Sequence, residues 1–410
     1  MSGHRVVITG VGLTSPIGNS FDAVSRALRE GTSGVRTVPS LGEIAGMKTR
    51  LGAPVEVDLS RLPKKRTRTM GRVALLSTWA TQEAIADAGV DPELLSSGSV
   101  GLAYGSTGGA STAVEDFVKK LFVNRSLEGI QSATYLKFMS HTCAANLAQY
   151  FAIRGRVLTT CSACVSSSQA IGYGYEAVKH GFQDVMICGG AEELDVVHAA
   201  IFDLMFATSS GYNDRPAESP RPFDVDRDGL VVGEGAGTVV LERYDRARAR
   251  GAKIYGEILG FGTNCDGMHM TAPSEDGMAK VIQLALADAG ISPDQIDYVN
   301  AHATATDLGD VCESRAALRV LGSSVPIAST KGFTGHTLGA CGVLESVFCL
   351  AMLRDGFLAP NRNLVLPHPD CAPLNFVTGP AREARPRVVM NNNFAFAGLN
   401  TSLIFKAVQV

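Results

Sequence analysis

A segment that recurs 201 residues later in the chain limits what this sequence can fold into. The first copy reads QEAIADAGVDPELL (Gln82–Leu95) and leads into VGLAYGSTGG, and the second reads QLALADAGISPDQ (Gln283–Gln295) and leads into IDYVNAHATAT. The matched pairs are Gln82 with Gln283, Gly89 with Gly290, and Pro92 with Pro293. Both copies predict a helix that ends at glycine, a proline turn and a strand. Because the period is too long for a solenoid, the repeat indicates a duplicated chain.

The duplication predicts an α/β fold built from two related halves, residues 1–251 and 252–410. Strand-like apolar runs alternate with helical patterns in both halves, which favours layered sheets covered by helices. A chain of 410 residues is long enough for two halves that each form a core. We therefore expect two halves related by a pseudo-twofold axis.

Composition argues against several classes of protein. The net charge of −3 disfavours nucleic acid or an anionic membrane as the main partner. No apolar run approaches the roughly 20 residues that span a bilayer, and Met1–His4 leads into the strand-like RVVITG without a secretory signal. Nine scattered cysteines suit a reducing compartment better than a disulfide framework, so we expect a cytoplasmic protein.

The stretch Thr159–Gly181, TTCSACVSSSQAIGYGYEAVKHG, predicts a strand, a tight elbow and a helix with a cysteine at its start. Unpaired N–H groups and the helix dipole make a helix N-terminus positive, which shifts a thiol towards the nucleophilic thiolate. Cys164 is therefore the candidate nucleophile. We expect Cys161 to pack behind the elbow, and the remaining cysteines to be packing residues as well.

Cys161 and Cys164 also form a C-x-x-C pair, an alternative that predicts a redox or zinc site. Zinc needs further ligands, and the sequence has no second C-x-x-C and no H-x-x-x-H. A thioredoxin-like redox pair belongs in a smaller βαβ unit. Two histidines at strand ends offer another partner set: His302 after YVNA and His336 in TGHTLG complete a Cys-His-His constellation with Cys164.

Two further patterns resemble ligand-binding motifs. The glycines of Arg5–Gly18, RVVITGVGLTSPIG, miss the G-x-G-x-x-G spacing of a dinucleotide site, so a strand beside other strands is favoured. Arg221–Gly237 opens with D-x-D-x-D-G like a calcium loop, but the twelfth position is glycine instead of an acid. A charged surface turn is the favoured interpretation, and we expect no metal site.

A basic run, LPKKRTRTMGR at Leu62–Arg72, precedes the helix of the first repeat copy. One interpretation is a solvated helix start, because charge runs usually mean only that. The other is a docking patch for an acidic partner, formed by Lys64, Lys65, Arg66 and Arg68.

The chain resembles the β-ketoacyl-acyl carrier protein synthases of the type II, thiolase-fold kind over essentially its whole length. Five ordered motifs carry the resemblance: TTCSACVSSSQAIG, RPFDVDRDGLVVGEGAG, NAHATAT, STKGFTGHTLGACG and NFAFAGLN. It implies a thiolase-like fold, with two duplicated α/β halves in a five-layered α-β-α-β-α arrangement. It also implies decarboxylative Claisen condensation of malonyl-acyl carrier protein with a cysteine-bound acyl chain, in fatty acid or polyketide biosynthesis.

The resemblance assigns the central roles. Cys164 takes the acyl chain as a thioester, while His302 and His336 bind the malonyl thioester carbonyl and stabilise the enolate. The basic run corresponds to the docking site of the acidic acyl carrier protein. No cofactor is implied beyond the 4′-phosphopantetheine that carries the substrates. The implied partners are acyl carrier protein and either a second copy of the chain or a homologous synthase subunit.

The same resemblance assigns roles to residues around Cys164, His302 and His336. Lys331 supports the site, with Glu313 and Glu345 as its charge network, and the backbone N–H groups of Cys164 and Phe396 form an oxyanion hole. Phe394 and Phe396 lie on a gating loop, and Thr304 and Thr306 contact the pantetheine arm.

The sequence departs from the family pattern in two loops. Relatives commonly read AHGTST and GFGGTN where this chain has AHATAT and AFAGLN. The unusual positions are Ala303, Ala305, Ala395, Ala397 and Leu399. Alanine fails where glycine adopts a positive φ, so we expect a stiffer gating loop and an acyl pocket shaped for an atypical chain. We also expect Thr107 to leave room at the far end of the acyl pocket. Together, the altered loops and Thr107 favour the subgroup of synthases that serves aryl-polyene or specialised polyene pathways.

Three alternatives to an elongating synthase differ in the residues they need. A thiolase needs a second catalytic cysteine near the C-terminus, and NNNFAFAGLN has none. A chain-length-factor partner lacks the nucleophile, whereas this chain keeps Cys164, His302 and His336. The alternative kept beside elongation is a non-elongating partner or a malonyl-acyl carrier protein decarboxylase within a heterodimeric synthase.

Overall fold

The computed structural model of the protein describes residues 3–408. The strands are β1 (Val6–Thr14), β2 (Arg36–Thr37), β3 (Leu51–Gly52), β4 (Val100–Gly105), β5 (Val157–Thr159), β6 (Val185–Glu192), β7 (Gly235–Arg243), β8 (Gly256–Cys265), β9 (Tyr298–Asn300), β10 (Pro326–Ala328), β11 (Phe357–Leu358), β12 (Asn375–Phe376), β13 (Arg382–Glu383), β14 (Val388–Phe394) and β15 (Leu399–Lys406). The helices are α1 (Phe21–Glu30), α2 (Pro39–Gly42), α3 (Arg72–Ala88), α4 (Pro92–Ser96), α5 (Ser111–Val118), α6 (Thr134–Phe138), α7 (Thr142–Tyr150), α8 (Ser166–Lys179), α9 (Val196–Leu204), α10 (Tyr244–Ala249), α11 (Glu275–Ala289), α12 (Asp307–Leu321), α13 (Lys331–Thr334) and α14 (Cys341–Asp355).

The strands of both halves join one 11-stranded sheet, in the order β12-β10-β9-β14-β15-β8-β1-β7-β6-β4-β5. A short antiparallel pairing of β1 with β8 connects the halves. Outward from this junction, each half has two further antiparallel pairings and then parallel strands. The matching order on the two sides is the duplication that the repeat predicts, while the boundary at 251/252 stays a prediction.

Two helices lie between the two parts of the sheet. α8 and α14 occupy this central layer, and every residue of α14 from Cys341 to Met352 is buried. A helix that is buried on every side belongs to the core. α3 packs on the N-terminal part of the sheet and α11 on the C-terminal part. The layers therefore run α-β-α-β-α, which confirms the thiolase-like arrangement. Within residues 3–408, no helix combines the length and apolarity needed to cross a membrane.

Glycines allow the repeated helices to lie directly on their strands. A Cβ at Gly12 of β1 would lie 2.1 Å from the Ala80 carbonyl oxygen of α3. In the other half, a Cβ at Gly262 of β8 would lie 2.4 Å from the Val281 carbonyl oxygen of α11. The glycine-punctuated segment Arg5–Gly18 therefore belongs to a strand covered by a helix, the interpretation favoured over a dinucleotide loop.

Gly12→Ala is expected to destabilise the protein by about 1–3 kcal/mol, because the added methyl group forces α3 away from β1. Gly108→Ala is the matched control, since a Cβ at Gly108 meets no atom within 4 Å and its backbone is not left-handed. Chemical denaturation of both variants measures the difference. Equal stability of the two would contradict the close contact of helix and strand.

Candidate active site

Cys164 lies at the elbow that the sequence predicts. β5 ends at Thr159, a 3₁₀ turn spans Ala163–Val165, and α8 begins at Ser166. Ala163 has φ 49°, in the left-handed region, so the chain turns sharply just before Cys164. Cys164 is 7% exposed, and its thiol therefore lies almost entirely inside the protein.

The fold brings together the three residues of the predicted Cys-His-His set. His302 follows β9, and His336 follows α13. His336 Nε2 lies 3.0 Å from Cys164 Sγ, and the two imidazole centroids are 5.1 Å apart at an interplanar angle of 87°. The thiol sulfur and one nitrogen of each imidazole lie within 4.8 Å of one another. Within residues 3–408, no other set of three or more histidine, cysteine, aspartate or glutamate side chains is close enough together to hold a metal ion. A thiol beside two imidazoles can serve as an activated nucleophile.

Both histidines are neutral at physiological pH. Burial, reinforced by the positive charge of Lys331, holds the pKa of His302 and the pKa of His336 well below the ordinary value. A neutral imidazole has one N–H donor and one acceptor nitrogen. Each ring can therefore donate a hydrogen bond to a developing negative charge without losing a proton itself.

The expected shift of Cys164 towards the thiolate is wrong. Burial raises the pKa of this thiol to about 12, although the charge of Lys331 lowers it in part. The helix start alone therefore does not ionise the group. Because His336 Nε2 is within hydrogen-bonding distance of Sγ, this imidazole is the group placed to accept the thiol proton.

Lys331 forms a buried ion pair in this region. Its Nζ lies 2.5 Å from Glu345 Oε1, and the two side chains are 1% and 3% exposed. Glu345 Oε2 also accepts a hydrogen bond from Asn393 Nδ2 at 2.6 Å. The lysine charge that depresses the histidine pKa values is therefore held in place by a carboxylate that is itself hydrogen-bonded.

Lys331→Met is expected to destabilise the protein by about 3–5 kcal/mol, because it leaves the Glu345 carboxylate buried without its cation. The double variant Lys331→Met/Glu345→Gln removes both charges and should recover much of that loss. Denaturation curves of the two proteins give the comparison. If Lys331→Met is as stable as the parent protein, the ion pair does not compensate for the free-energy cost of burying the Glu345 carboxylate.

Glu313 holds the backbone of the His302 loop instead of bonding directly to the buried lysine. Its carboxylate accepts hydrogen bonds from the N–H of His302 at 2.8 Å and of Ala303 at 2.6 Å. Asp310, three residues earlier on α12, accepts from Ala305 N–H at 3.1 Å. Sequence reasoning missed Asp310. The signal is the acid-x-x-acid spacing on the helix after NAHATAT, which places both carboxylates on one helix face.

Two of the unusual alanines have a glycine-like backbone. Ala305 has φ 67° and Ala397 has φ 64°, whereas Ala395 is extended at φ −120°. A left-handed backbone costs an alanine about 1–2 kcal/mol. The bond from Ala305 to Asp310 supports one loop, and Ala397 N–H donates to the Met270 carbonyl at 2.7 Å in the other. Hydrogen bonds therefore hold both alanines in an unfavourable conformation.

A cavity of about 640 Å³ opens onto Cys164 and the two histidines. The other residues singled out from the sequence in its wall are Ala303, Thr304, Thr306, Glu313, Phe394, Ala395 and Phe396. The Phe394 ring centroid lies 6.2 Å from that of His302 in an edge-on arrangement, and the Phe396 centroid lies 5.8 Å from that of Phe202. The predicted gate and pantetheine residues thus share one cavity with the catalytic set.

The basic run does not line this cavity in the described structure. Lys64, Lys65 and Arg68 are exposed on the loop before α3. Arg66 donates to the Tyr150 carbonyl, and its guanidinium lies 4.0 Å from the centroid of the Tyr150 ring. Arg66 therefore takes part in packing, and docking by the run stays a prediction.

Two packing predictions are wrong. Cys161 is exposed, and its thiol donates to the Ser140 carbonyl at 2.7 Å. Cys265 is exposed as well, so it is not a core residue. Thr107 is not in the lining of the described cavity, and its N–H and hydroxyl both donate to Glu192. Its expected place at the far end of the acyl pocket stays a prediction.

The Asp-rich turn is the predicted surface turn only in part, because Asp226 is exposed but Asp224 is not. Asp224 is fully buried, and its carboxylate accepts from Val365 N–H at 2.7 Å and Leu366 N–H at 3.1 Å. Arg221 Nε donates to the same carboxylate at 3.0 Å. The motif joins two loops of the fold.

A duplicated α/β fold that encloses a cysteine and two neutral histidines defines a thiolase-like condensing enzyme. The family model described as "Beta-ketoacyl synthase, N-terminal domain" matches residues 3–247, and "Beta-ketoacyl synthase, C-terminal domain" matches residues 255–365. The chain belongs to the β-ketoacyl synthase family.

Individual relatives agree with this assignment. The chain is 38% identical to 3-oxoacyl-(acyl-carrier-protein) synthase 1 of Haemophilus influenzae, over 98% of this chain and 99% of that one. A crystal structure of a β-ketoacyl synthase from Burkholderia phymatum matches with a TM-score of 0.96 and 47% identity, over 99% and 100% of the two chains. The ishigamide ketosynthase/chain length factor matches with a TM-score of 0.92 and 32% identity, over the same shares. The predicted family and fold are confirmed.

Proposed function

We propose that this chain is a β-ketoacyl-acyl carrier protein synthase that extends a cysteine-bound acyl chain by decarboxylative condensation. The observation that carries the proposal is the contact of 3.0 Å between Cys164 Sγ and His336 Nε2, with His302 beside them in one cavity. The sequence relative whose name includes acyl-carrier-protein supports the substrate class.

In the first half-reaction, His336 accepts the Cys164 proton and the sulfur attacks the thioester carbonyl of an acyl carrier protein. A new bond forms between Sγ and the acyl carbon, and the bond to the pantetheine sulfur breaks. The released pantetheine thiolate takes the proton back from His336. The N–H groups of Cys164 and Phe396 are the proposed donors to the oxyanion of the tetrahedral intermediate.

In the second half-reaction, His302 and His336 donate hydrogen bonds to the thioester carbonyl of malonyl-acyl carrier protein. The bond to the carboxylate breaks, carbon dioxide leaves, and the electron pair forms an enolate whose negative oxygen both rings stabilise. The enolate carbon then attacks the acyl carbon and the bond to Sγ breaks. Cys164 leaves as a thiolate and takes up a proton from solvent water, and the product is a β-ketoacyl carrier protein two carbons longer. These steps balance without a redox cofactor or a metal.

Several finer features belong to the same proposal. Thr304 and Thr306 contact the pantetheine arm, while Phe394 and Phe396 gate the cavity. Lys64, Lys65, Arg66 and Arg68 dock the acidic carrier protein. The chain works in the cytoplasm as a dimer, with a second copy or with a homologous subunit. The match to a ketosynthase/chain length factor supports the second arrangement. The proposed acyl substrate is an atypical chain of the polyene kind.

The test is intact-mass analysis of the purified chain with acyl-acyl carrier protein, followed by malonyl-acyl carrier protein. We expect an acyl adduct on the protein in the first step and a β-ketoacyl carrier protein in the second. Release of carbon dioxide without either species would favour the alternative, a decarboxylase or a non-elongating partner. Neither adduct nor decarboxylation would overturn the assignment to this class.

A further inference from the structure

A second buried polar group of residues lies outside the catalytic set. It consists of Glu192 at the end of β6, Glu193, Asp195 at the start of α9, and His198 on α9. We call these four residues the His198 cluster. Glu192 and Glu193 are 0% and 1% exposed, and the side chains of Asp195 and His198 are each 8% exposed. Three carboxylates and a histidine are thus almost completely removed from water.

Each member of the His198 cluster has a buried polar atom with no hydrogen-bond partner in residues 3–408. These atoms are Glu192 Oε1, Glu193 Oε2, Asp195 Oδ2 and His198 Nδ1. His198 Nε2 is 3.9 Å from Glu192 Oε1, and His198 Nδ1 is 3.4 Å from Asp195 Oδ1, so the ring faces carboxylates without satisfying them. Buried polar atoms left unpaired are unfavourable, and several in one place indicate a site that receives another polar group.

The other oxygens of these carboxylates fix the cluster in place. Glu192 Oε2 accepts from Thr107 N–H at 2.9 Å and from Gly339 N–H at 3.1 Å. Asp195 Oδ1 accepts from the N–H of His198 at 2.8 Å and caps α9. Because one oxygen of each of these two carboxylates is committed to the backbone, the second oxygen is held in a defined direction.

The His198 cluster lies behind the Phe202 wall of the cavity that contains Cys164, and none of its four residues is in the described lining of that cavity. His198 and Phe202 are four residues apart on α9 and therefore share one face of the helix. Phe202 lines the cavity that contains Cys164. Glu192 accepts a hydrogen bond from Gly339 N–H, and Gly339 belongs to a 3₁₀ turn, Leu338–Ala340. This turn packs against the 3₁₀ turn that carries Cys164. The cluster thus lies roughly one helical turn, about 5 Å, beyond the Phe202 wall.

The chemistry of the cluster suits a hydroxyl group. Burial lowers the pKa of His198, but the surrounding carboxylates raise it to about 9. The ring is therefore protonated at neutral pH. Burial raises the pKa of Glu193 to about 7. A hydroxyl can donate to Glu192 Oε1 and accept from His198 Nε2–H at once, whereas an alkyl chain end can do neither.

We propose that the His198 cluster is a polar subsite for the distal end of the acyl chain, and that it selects chains carrying a hydroxyl group there. The chain attached to Cys164 passes the Phe202 ring and places its hydroxyl between His198 and Glu192. This inference rests on the proposed function, since it takes Cys164 as the residue that carries the chain.

The test compares acyl carrier proteins that bear n-alkanoyl chains and ω-hydroxyalkanoyl chains of the same carbon number, over a series of lengths. The rate of Cys164 acylation is followed by intact mass. At the length that reaches the cluster, the wild-type protein is expected to prefer the hydroxylated chain by about tenfold or more in kcat/KM. In His198→Leu the preference should disappear, while in His180→Leu, a histidine substitution at the end of another helix, it should persist.

The outcomes separate this inference from the proposed function. Equal loading of both chains at every length by the wild-type protein would overturn the subsite and indicate that water alone fills the cluster. No loading of any chain would instead count against the proposed function. If His198→Leu does not fold, the wild-type protein alone tests the subsite. A preference for the hydroxylated chain at one length, with no preference at shorter lengths, would support it.

Discussion

Cys164→Ala is expected to abolish acylation by acyl-acyl carrier protein and to lower the rate of condensation by about 10,000-fold or more, because no other group replaces the nucleophile. The same variant should still decarboxylate malonyl-acyl carrier protein, since His302 and His336 remain to stabilise the enolate. Intact mass follows the acyl adduct, and release of carbon dioxide follows decarboxylation. The variant therefore separates the two half-reactions.

Cys349→Ala is the matched control for this experiment. Cys349 is fully buried within α14, so its replacement tests the effect of losing a buried thiol away from the elbow. It is expected to retain both acylation and condensation. An acyl adduct that persists in Cys164→Ala would assign the nucleophile to another residue, with the exposed Cys161 as the next candidate.

The sequence predicts the large elements because their signals are local. Gly89 and Gly290 end α3 and α11 in the left-handed conformation, with φ values of 63° and 65° that an alanine resists. The elbow at Cys164 and the strand-end position of His302 are likewise recognisable from short stretches. Such features depend on a few neighbouring residues, and the helix-ending glycine occurs in both copies of the repeat.

The protonation of the site could not be predicted in the same way. The pKa of Cys164 depends on how completely the thiol is buried, and elements from both halves of the chain create that burial. A helix start viewed alone favours the thiolate, but desolvation is the larger effect here. Glu313 illustrates the same limit, because its hydrogen bonds to the N–H groups of His302 and Ala303 depend on how α12 packs against the loop.

The His198 cluster was missed for a related reason. GGAEELDVVH reads as a strand end followed by a helix start, where acidic residues are common and normally solvated. Nothing in that stretch shows that Glu192 and Glu193 are buried. Their burial follows from the position of β6 inside the sheet, with neighbours on both sides.

His302→Ala is expected to lower decarboxylation and condensation by about 100- to 1,000-fold, the typical cost of removing one donor to a developing oxyanion. Acylation of Cys164 should be largely retained, because it is His336 whose Nε2 lies 3.0 Å from Sγ. His302→Asn keeps an N–H donor and should recover part of the lost rate. Rates of adduct formation and carbon dioxide release, measured on the same samples, give the comparison.

His336→Ala is expected to impair both half-reactions, which distinguishes the two histidines. Burial raises the pKa of the Cys164 thiol to about 12, so loss of the adjacent imidazole removes the group placed to accept its proton. Acylation by His336→Ala should therefore become faster as pH rises towards the pKa of the thiol, while acylation by His302→Ala should not show that increase. His368→Ala, a change at a partly exposed histidine, controls for the loss of an imidazole elsewhere. Equal acylation rates in His302→Ala and His336→Ala at neutral pH would contradict this division, and would mean that the thiol loses its proton without help from the ring beside it.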